Sequence, residues 1–268
     1  MACWQHGDGG GKLLSVVDHW YSSRFLSGFY DSLCEGRQDF DFYLPLVMSS
    51  EAVLDVGCGT GALLRLARRD GHAGRLCGLD PAGAMLERAR EQTDVDWVLG
   101  DLSSVDWDRE FDLVVMTGHA FQVLIDDDDL RMSLAAIRRA LTDDGRFVFE
   151  IRNPGVREWE GWTPRTAYQL SNTAGEVVVF WREAELPVTG DVVRYRSVFR
   201  GAGWDREQVS PGVVRYLDPG SLSVFLREAG LAVSEQFGGW GRQPLTGRSS
   251  EIVTVAVRGP DGGAGQRS

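Results

Sequence analysis

One lysine, Lys12, stands against 39 acidic residues in a chain of 268, so the positive charge is almost all arginine, as codon bias in a GC-rich genome would produce. The formal charge is −11 at pH 7. Nucleic acid is thereby excluded as the main partner, since phosphate binding needs a basic surface. Long hydrophobic runs are missing too, which predicts no membrane-spanning helix and no membrane partner. Cysteine is sparse. Cys3, Cys34, Cys58 and Cys77 make no CxxC pair, and no histidine stands at a metal-site spacing from them. The expectation is reduced thiols in a cytoplasmic protein without a structural metal. The first 12 residues show no basic stretch followed by an apolar one, so no secretory leader is expected. Glycine at 7, 9, 10 and 11, and glycine with polar residues near the other end, predict flexible tails over 1–12 and 259–268.

What is present is ordinary for a folded chain, with two emphases. A hydrophobic content of 43% supports a core and excludes a largely disordered protein. Glycine is plentiful, and there are nine tryptophans. Over 13–48, Val16, Val17, Trp20, Phe25, Phe29, Tyr30 and Leu33 fall at mixed helical spacing and predict one or two amphipathic helices. A strand–helix rhythm follows. Strands are expected at Ala52–Val56, Arg75–Asp80, Trp97–Asp101, Phe111–Met116 and Arg146–Ile151. A helix pattern over 63–67 follows the first strand. Pro81, with its fixed φ, is placed to begin a helix through Arg90, and Asp126 to Asp129 precede another that ends near Leu141. Such alternation, with continuous apolar strands, implies βαβ units and a parallel sheet covered on both faces.

After Asn153 the rhythm changes. Val177–Trp181, Val192–Phe199 and Val213–Leu217 are β-rich without intervening helices, which predicts an antiparallel insertion over 155–217. A helix at Ser221–Ala229, closed by Gly230, and strands at 231–236 and 251–257 complete the chain.

The informative cluster is Asp55-x-Gly57-x-Gly59-x-Gly61, with Asp80 nineteen residues after Gly61 and Asp101 twenty-one after Asp80. Each ends a predicted strand, where the ligand crevice of an open parallel sheet lies. Glycines let the backbone approach a ligand closely. An acid at the next strand end suits a ribose diol, and one at the third suits an exocyclic amine. A dinucleotide turn is usually GxGxxG; this one is GxGxG behind an acid, which is awkward for pyrophosphate and suits a cationic sulfonium with an α-amino group.

Val53-Leu54-Asp55-Val56-Gly57-Cys58-Gly59-Thr60-Gly61 resembles motif I of the class I S-adenosylmethionine-dependent methyltransferases, in particular bacterial small-molecule enzymes. Asp80 resembles their ribose-binding acid, Gly100-Asp101-Leu102 their adenine-contacting segment, and Phe111-Asp112-Leu113-Val114-Val115 their fourth strand. Leu141 to Arg146 is similar to their turn before strand five, with Asp144 where the family carries glycine. The resemblance covers about residues 50–155 and the final helix and strands. It implies an α/β fold: a doubly wound, Rossmann-like, mostly parallel sheet of seven strands over 49–154 and 218–258, with a β-rich cap at 155–217 and an N-terminal helical lid at 13–48. S-adenosyl-L-methionine is the implied cofactor.

By the same resemblance, Asp55 orients the amino-acid end of the cofactor while Gly57, Cys58, Gly59 and Gly61 form the turn beside it. Asp80 and Pro81 lie at the ribose. Met85 packs near the adenine or simply fills an apolar helix face. Asp101 and Leu102 meet the adenine, and Thr117 and Gly118 lie beneath the methionine part. His119 follows strand four and titrates near neutrality, so it is the candidate base, the alternative being that it lines the pocket. Tyr30-Asp31 resembles a Tyr-Asp pair of such lids. Tyr21 and Tyr30 are therefore candidates to touch methionine or acceptor, and packing is the alternative. His72 lies in a surface-like turn. Arg152 and Asn153 face the crevice after strand five, although Asn153-Pro154 is also plain turn chemistry. The run Asp126 to Asp129 reads as a helix start favoured by the dipole rather than a metal site.

Trp159, Trp162, Trp181, Trp204 and Trp240 all follow strand five, so the aromatic surplus falls where an acceptor would be enclosed. Trp181 and Trp240 are taken as substrate-binding. A small, flat or apolar acceptor, a natural product and an indole among the possibilities, is the expectation, with a hydroxyl or an amino sugar as alternatives. The alternatives are a non-catalytic cofactor sensor of the same fold and an NAD-dependent oxidoreductase. A monomer or a homodimer is compatible with the sequence.

Overall fold

The computed structural model describes residues 17–34 and 36–260. The tail expected over 1–12, and all but the first two residues of that expected over 259–268, lie outside the described residues, as does Val16. Four short helices come first: α1 (His19–Ser22), α2 (Arg24–Ser27), α3 (Asp31–Cys34) and α4 (Phe40–Met48). The sequence predicts one or two helices here, and local chemistry divides them. The Ser23 hydroxyl accepts from the Leu26 N–H and caps α2, and Gly28 closes it. Trp20, Leu26 and Phe29 are buried nonetheless, because they pack sideways onto the cap.

The strands β1 (Ala52–Val56), β2 (Arg75–Asp80), β3 (Asp96–Leu99), β4 (Phe111–Met116) and β5 (Leu141–Arg152) alternate with α5 (Ala62–Arg69), α6 (Gly83–Ala89) and α7 (Asp127–Ala140). Pro81 does not begin α6. The helix starts two residues later, because Asp80 Oδ1 accepts the Ala82 N–H and holds the strand exit in a bend. Asp126 caps α7 by accepting from the Asp128 and Asp129 N–H groups. The turn expected at 141–145 is carried inside β5 as a register irregularity, Phe111 pairing with Leu141 but Leu113 with Arg146. His72, expected at the surface, is buried with its Nε2 2.8 Å from the Ser50 carbonyl.

The cap is a four-stranded antiparallel sheet of β6 (Tyr168–Ser171), β7 (Val177–Ala184), β8 (Val192–Gly201) and β9 (Gln208–Arg215), in that order. The sequence shows only three of these strands. β6 is four residues long and buries Leu170 alone, which leaves no alternation to read. β9 lies earlier than the expected 213–217 and contains Pro211, which an edge strand tolerates. Its Gly212 leaves room for the Tyr195 ring, since a Cβ there would stand 2.4 Å from that ring.

Helix α8 (Pro219–Glu228) then returns the chain to β10 (Leu231–Phe237) and β11 (Glu251–Arg258). The large sheet has seven strands in the order β10-β11-β5-β4-β1-β2-β3, and β11 runs antiparallel to both neighbours. One face packs under α7 and α8 through Phe121, Phe147, Phe149 and Ile137, the other under α4 and α5 through Tyr43, Val47, Leu63 and Leu64. Phe121 stacks on Phe149 at 4.4 Å and so fixes the turn after β4.

Candidate active site

Asp55, the glycine turn, Asp80 and the residues 117–119 lie at the carboxyl edge of β1, β2 and β4, with Asp101 just after β3 and Arg152 at the end of β5. The turn after β1 places Gly57, Gly59 and Gly61 at φ +74, +57 and +71, the left-handed region that favours glycine. Gly57 and Cys58 donate to the Leu79 carbonyl, which ties the turn to β2. Asp80 stands across from it, accepting the Gly59 N–H through Oδ2 at 2.7 Å. Burial raises the Asp80 carboxyl, and these two backbone donors hold it down. Met85 is buried with its methyl near Gly59, and Cys58 is buried with its thiol pushed well up. Asp101 Oδ1 accepts from Ser103, while Leu102 packs into the core.

Asp55 is the exceptional residue of this group. It is 1% exposed, and its Oδ1 has no hydrogen-bond partner. Burial pushes its carboxyl up to about 7, against the Arg37 guanidinium and with Asp80 and Glu150 adding. A small cavity of about 10 Å³ opens beside it, lined by Tyr30, Cys34, Arg37, Gly57 and Thr117. Arg37 lies over Gly118, a Cβ at which would meet the guanidinium at 3.3 Å, and pairs with Asp39. An acid lacking a donor and a guanidinium on one small cavity form a complement to an amino-acid zwitterion. Those residues therefore fit the methionine end of S-adenosylmethionine.

His119 sits next to this cavity at φ +64. Its backbone N–H donates to Glu150 Oε1 at 2.8 Å, and its Nε2 lies 3.0 Å from Glu251 Oε2. Tyr43 donates its hydroxyl to the other Glu150 oxygen. Burial, with Arg152, Arg182 and Arg37, holds the imidazole well below its usual 6.5. Burial and the nearby Glu150 push Glu251 up to about 8, against Arg152. Burial likewise raises Glu150 to about 7.

The N-terminal helices supply the opposite wall. Tyr30 leans over Gly59, and Tyr21 meets Tyr30 edge-on at 5.9 Å. Burial raises both phenols well above 10, so both are neutral donors.

The four residues expected at the acceptor divide. Arg152 is at the crevice, held by Gln122 Oε1 and by Glu158 at 3.1 Å. Asn153 is corrected to a turn residue. Its Oδ1 accepts from Gly155 and its amide donates to Thr246 and Ser249, so both amide hydrogens and one oxygen lone pair are spent on the loop. Trp181 is also corrected. It lies on the outer face of β7, where Arg200 covers its ring and Glu183 accepts its N–H. Trp240 packs on Phe42 and Tyr43 of α4 instead of joining the cap.

Sequence reasoning misses Arg37, Glu150, Glu251 and Arg182. Glu150 carries a legible signal, an acid inside an apolar strand. The other three carry none, because only tertiary packing brings them to the crevice.

Residues 53–145 match a family model described as a methyltransferase domain. The chain is 26% identical over 215 residues to the cypemycin N-terminal methyltransferase of a Streptomyces species, covering 79% of this chain and 84% of that one. It is 27% identical over 194 residues to the demethylmenaquinone methyltransferase of Thermotoga maritima, covering 71% and 74%. Among solved structures it superposes on an S-adenosylmethionine-dependent methyltransferase from Clostridium acetobutylicum with a TM-score of 0.71 at 18% identity, covering 88% and 98%. A sugar N-methyltransferase from a Streptoalloteichus species gives 0.64 at 22% identity, covering 97% and 99%.

Proposed function

From the premise that this chain belongs to the class I S-adenosylmethionine-dependent methyltransferases, we propose that it methylates a small aromatic molecule, an indole or other natural product among the candidates, between the strand ends and the β cap. The observation that carries the cofactor half of this reading is the buried, partnerless Oδ1 of Asp55 beside the glycine turn. Membership in this family sets aside the oxidoreductase alternative.

Bound S-adenosylmethionine supplies an electrophilic methyl group that needs no further activation. The chain's task is to hold, orient and exclude water. Asp55 accepts the cofactor's ammonium, and Arg37 faces its carboxylate. Gly57, Cys58, Gly59 and Gly61 allow the backbone to lie against it, over Thr117 and Gly118. Asp80 and Pro81 take the ribose side, with Met85, Asp101 and Leu102 at the adenine. Tyr21 and Tyr30 close the crevice above the sulfur. His119 removes the proton that an acceptor N–H, O–H or ring C–H must lose, with Glu251 holding its Nε2. Trp162 and Tyr195 pack against Arg182, and Tyr21 lies within reach of its charge, an aromatic surrounding that supports the aromatic choice.

Calorimetry with S-adenosylhomocysteine tests the cofactor half. Saturable binding is expected. Asp55→Asn should weaken it by about 10- to 100-fold, the effect of one charge-assisted hydrogen bond. Because the free carboxyl titrates near 7, affinity should fall as pH drops from 8 to 6, protonation of Asp55 competing with the ammonium. Absence of binding, or an affinity indifferent to Asp55, overturns the assignment. Methyl transfer from labelled cofactor across a metabolite panel then tests the acceptor half; turnover confined to polar aliphatic compounds counts against an aromatic acceptor.

A further inference from the structure

Strand alternation turns Val178, Phe180, Arg182 and Ala184 of β7 towards the N-terminal helices and the crevice. Val178 and Phe180 join Trp20, Leu26 and Phe199 in one apolar cluster, and Ala184 packs on a second built from Trp159, Val193, Tyr195 and Val214. Arg182 falls between the two, a cation at a position where the strand pattern calls for an apolar side chain. Its guanidinium carbon lies 5.6 Å from the Trp162 ring, 5.8 Å from Phe180 and 5.6 Å from Tyr195. Rings compensate part of a cation's lost hydration, but they do not satisfy its N–H donors in the plane of the fork.

Among the described residues Arg182 has no ion pair and no hydrogen bond, and its Nε is buried without an acceptor. The other arginines at the crevice are engaged, Arg37 with Asp39, Arg152 with Glu158 and Arg215 with Asp191. The carboxylates that feel Arg182 do not pair with it. Glu158 is taken by Arg152, and Asp18 stands beyond ion-pair distance. Tyr21, Tyr168 and Tyr195 feel the same charge, and its field reaches His119. Tyr21, Arg182 and His119 are each only partly buried, and the Arg182 charge is felt by both of the others.

Resting on the reading that this crevice takes the methyl acceptor, we infer that Arg182 binds an oxyanion of that acceptor, a carboxylate or a phosphate ester, while the acceptor's flat body lies against Tyr21, Trp162 and Tyr195. The acceptor is therefore an anionic small molecule, and Arg182 selects it. A buried guanidinium discriminates strongly because a neutral analogue leaves its donors unpaired.

The test uses protein loaded with S-adenosylhomocysteine and three probes: phenylacetate, phenyl phosphate and the neutral phenylacetamide. Calorimetry should show at least one anion binding at least tenfold more tightly than the amide, and which anion prevails identifies the oxyanion. Arg182→Met should abolish that advantage while keeping S-adenosylhomocysteine affinity within twofold. If Arg182→Met loses the cofactor product through misfolding, Arg182→Lys replaces it. The charge is then kept without the planar fork, and anion affinity should fall at least threefold with amide affinity unchanged. The inference is overturned if neither anion binds the wild type, if the amide binds as well as both, or if the advantage survives in Arg182→Met or is untouched in Arg182→Lys. Failure of S-adenosylhomocysteine to bind the wild type would instead remove the cofactor reading on which the inference stands.

Discussion

Replacing His119 by alanine is expected to lower kcat by about 10²- to 10⁴-fold, the range for loss of a positioned general base, and to leave S-adenosylhomocysteine affinity nearly unchanged. Nε2 is engaged by Glu251, which leaves Nδ1 without a protein hydrogen bond among the described residues. The ring is thus held at one nitrogen and open at the other, as a base must be. Burial and three arginines keep it neutral. A protonated Glu251 donates to Nε2 and leaves the ring hydrogen on Nδ1, whereas the ionised carboxylate accepts from Nε2–H and frees the Nδ1 lone pair to take a proton. Glu251 sets the pH dependence. Its carboxyl is pushed up to about 8, so it is largely protonated at pH 7 and ionises as pH rises. The ionised form stabilises the imidazolium created when His119 takes a proton. Hence kcat should climb between pH 7 and 9 with an apparent pKa near 8 that belongs to the pair. Glu251→Gln removes that ionisation and should give a flat profile. The check is methyl transfer at saturating acceptor. Unchanged kcat in His119→Ala, or an equal climb in Glu251→Gln, removes the role.

The second large effect concerns the cofactor turn. Gly61→Val should destabilise the protein by more than about 4 kcal/mol, since it combines two named causes of severe loss. Gly61 has φ +71, which is strained for any branched side chain. A Cβ there would also stand 2.2 Å from the Trp97 ring. That ring cannot swing away freely. Its N–H donates to the Gln92 carbonyl at 2.8 Å, and its edge fills the space over Gly78, where a Cβ would meet it at 2.5 Å. In thermal denaturation the midpoint should drop by roughly 8–16 °C for a domain of this size. Trp97→Leu combined with Gly61→Val should recover part of the loss through a positive coupling between contacting sites. A drop of only 1–2 °C for Gly61→Val alone would mean that the indole moves aside at little cost, contrary to this account.

The parts of the molecule legible in the sequence are those governed by local rules. Strand ends, the glycine turn and the acids that follow them rest on periodicity and backbone conformation, and β1, β2, β4 and the turn 57–61 stand where those rules put them. The cap is legible as three β-rich stretches, but not in the inward and outward faces of its strands. In β7 the uniform run Val177 to Trp181 hides which residues face inward, and a shift by one residue exchanges Trp181 for Arg182. The turn at Asn153 illustrates another limit. Its side chain could as well bind a ligand as a loop, and two hydrogen bonds across about ninety-five residues, with one local turn bond, decide for the loop. The His119–Glu251 contact lies outside any sequence rule, because nothing in either neighbourhood names the other.

That contact also bears on how the protein comes to be made. β11 follows every other strand of the large sheet in chain order, among the described residues, yet it lies inside the sheet, between β10 and β5. Until it inserts, both neighbours present unpaired edges, the exposure that makes incomplete chains prone to association. Since β11 runs against its neighbours, its first residue, not its last, reaches the ligand end of the sheet. The event that seals the sheet is therefore the one that delivers Glu251 to His119. A chain caught before that step would lack the partner that tunes the base, so chemical competence is tied to insertion of this strand.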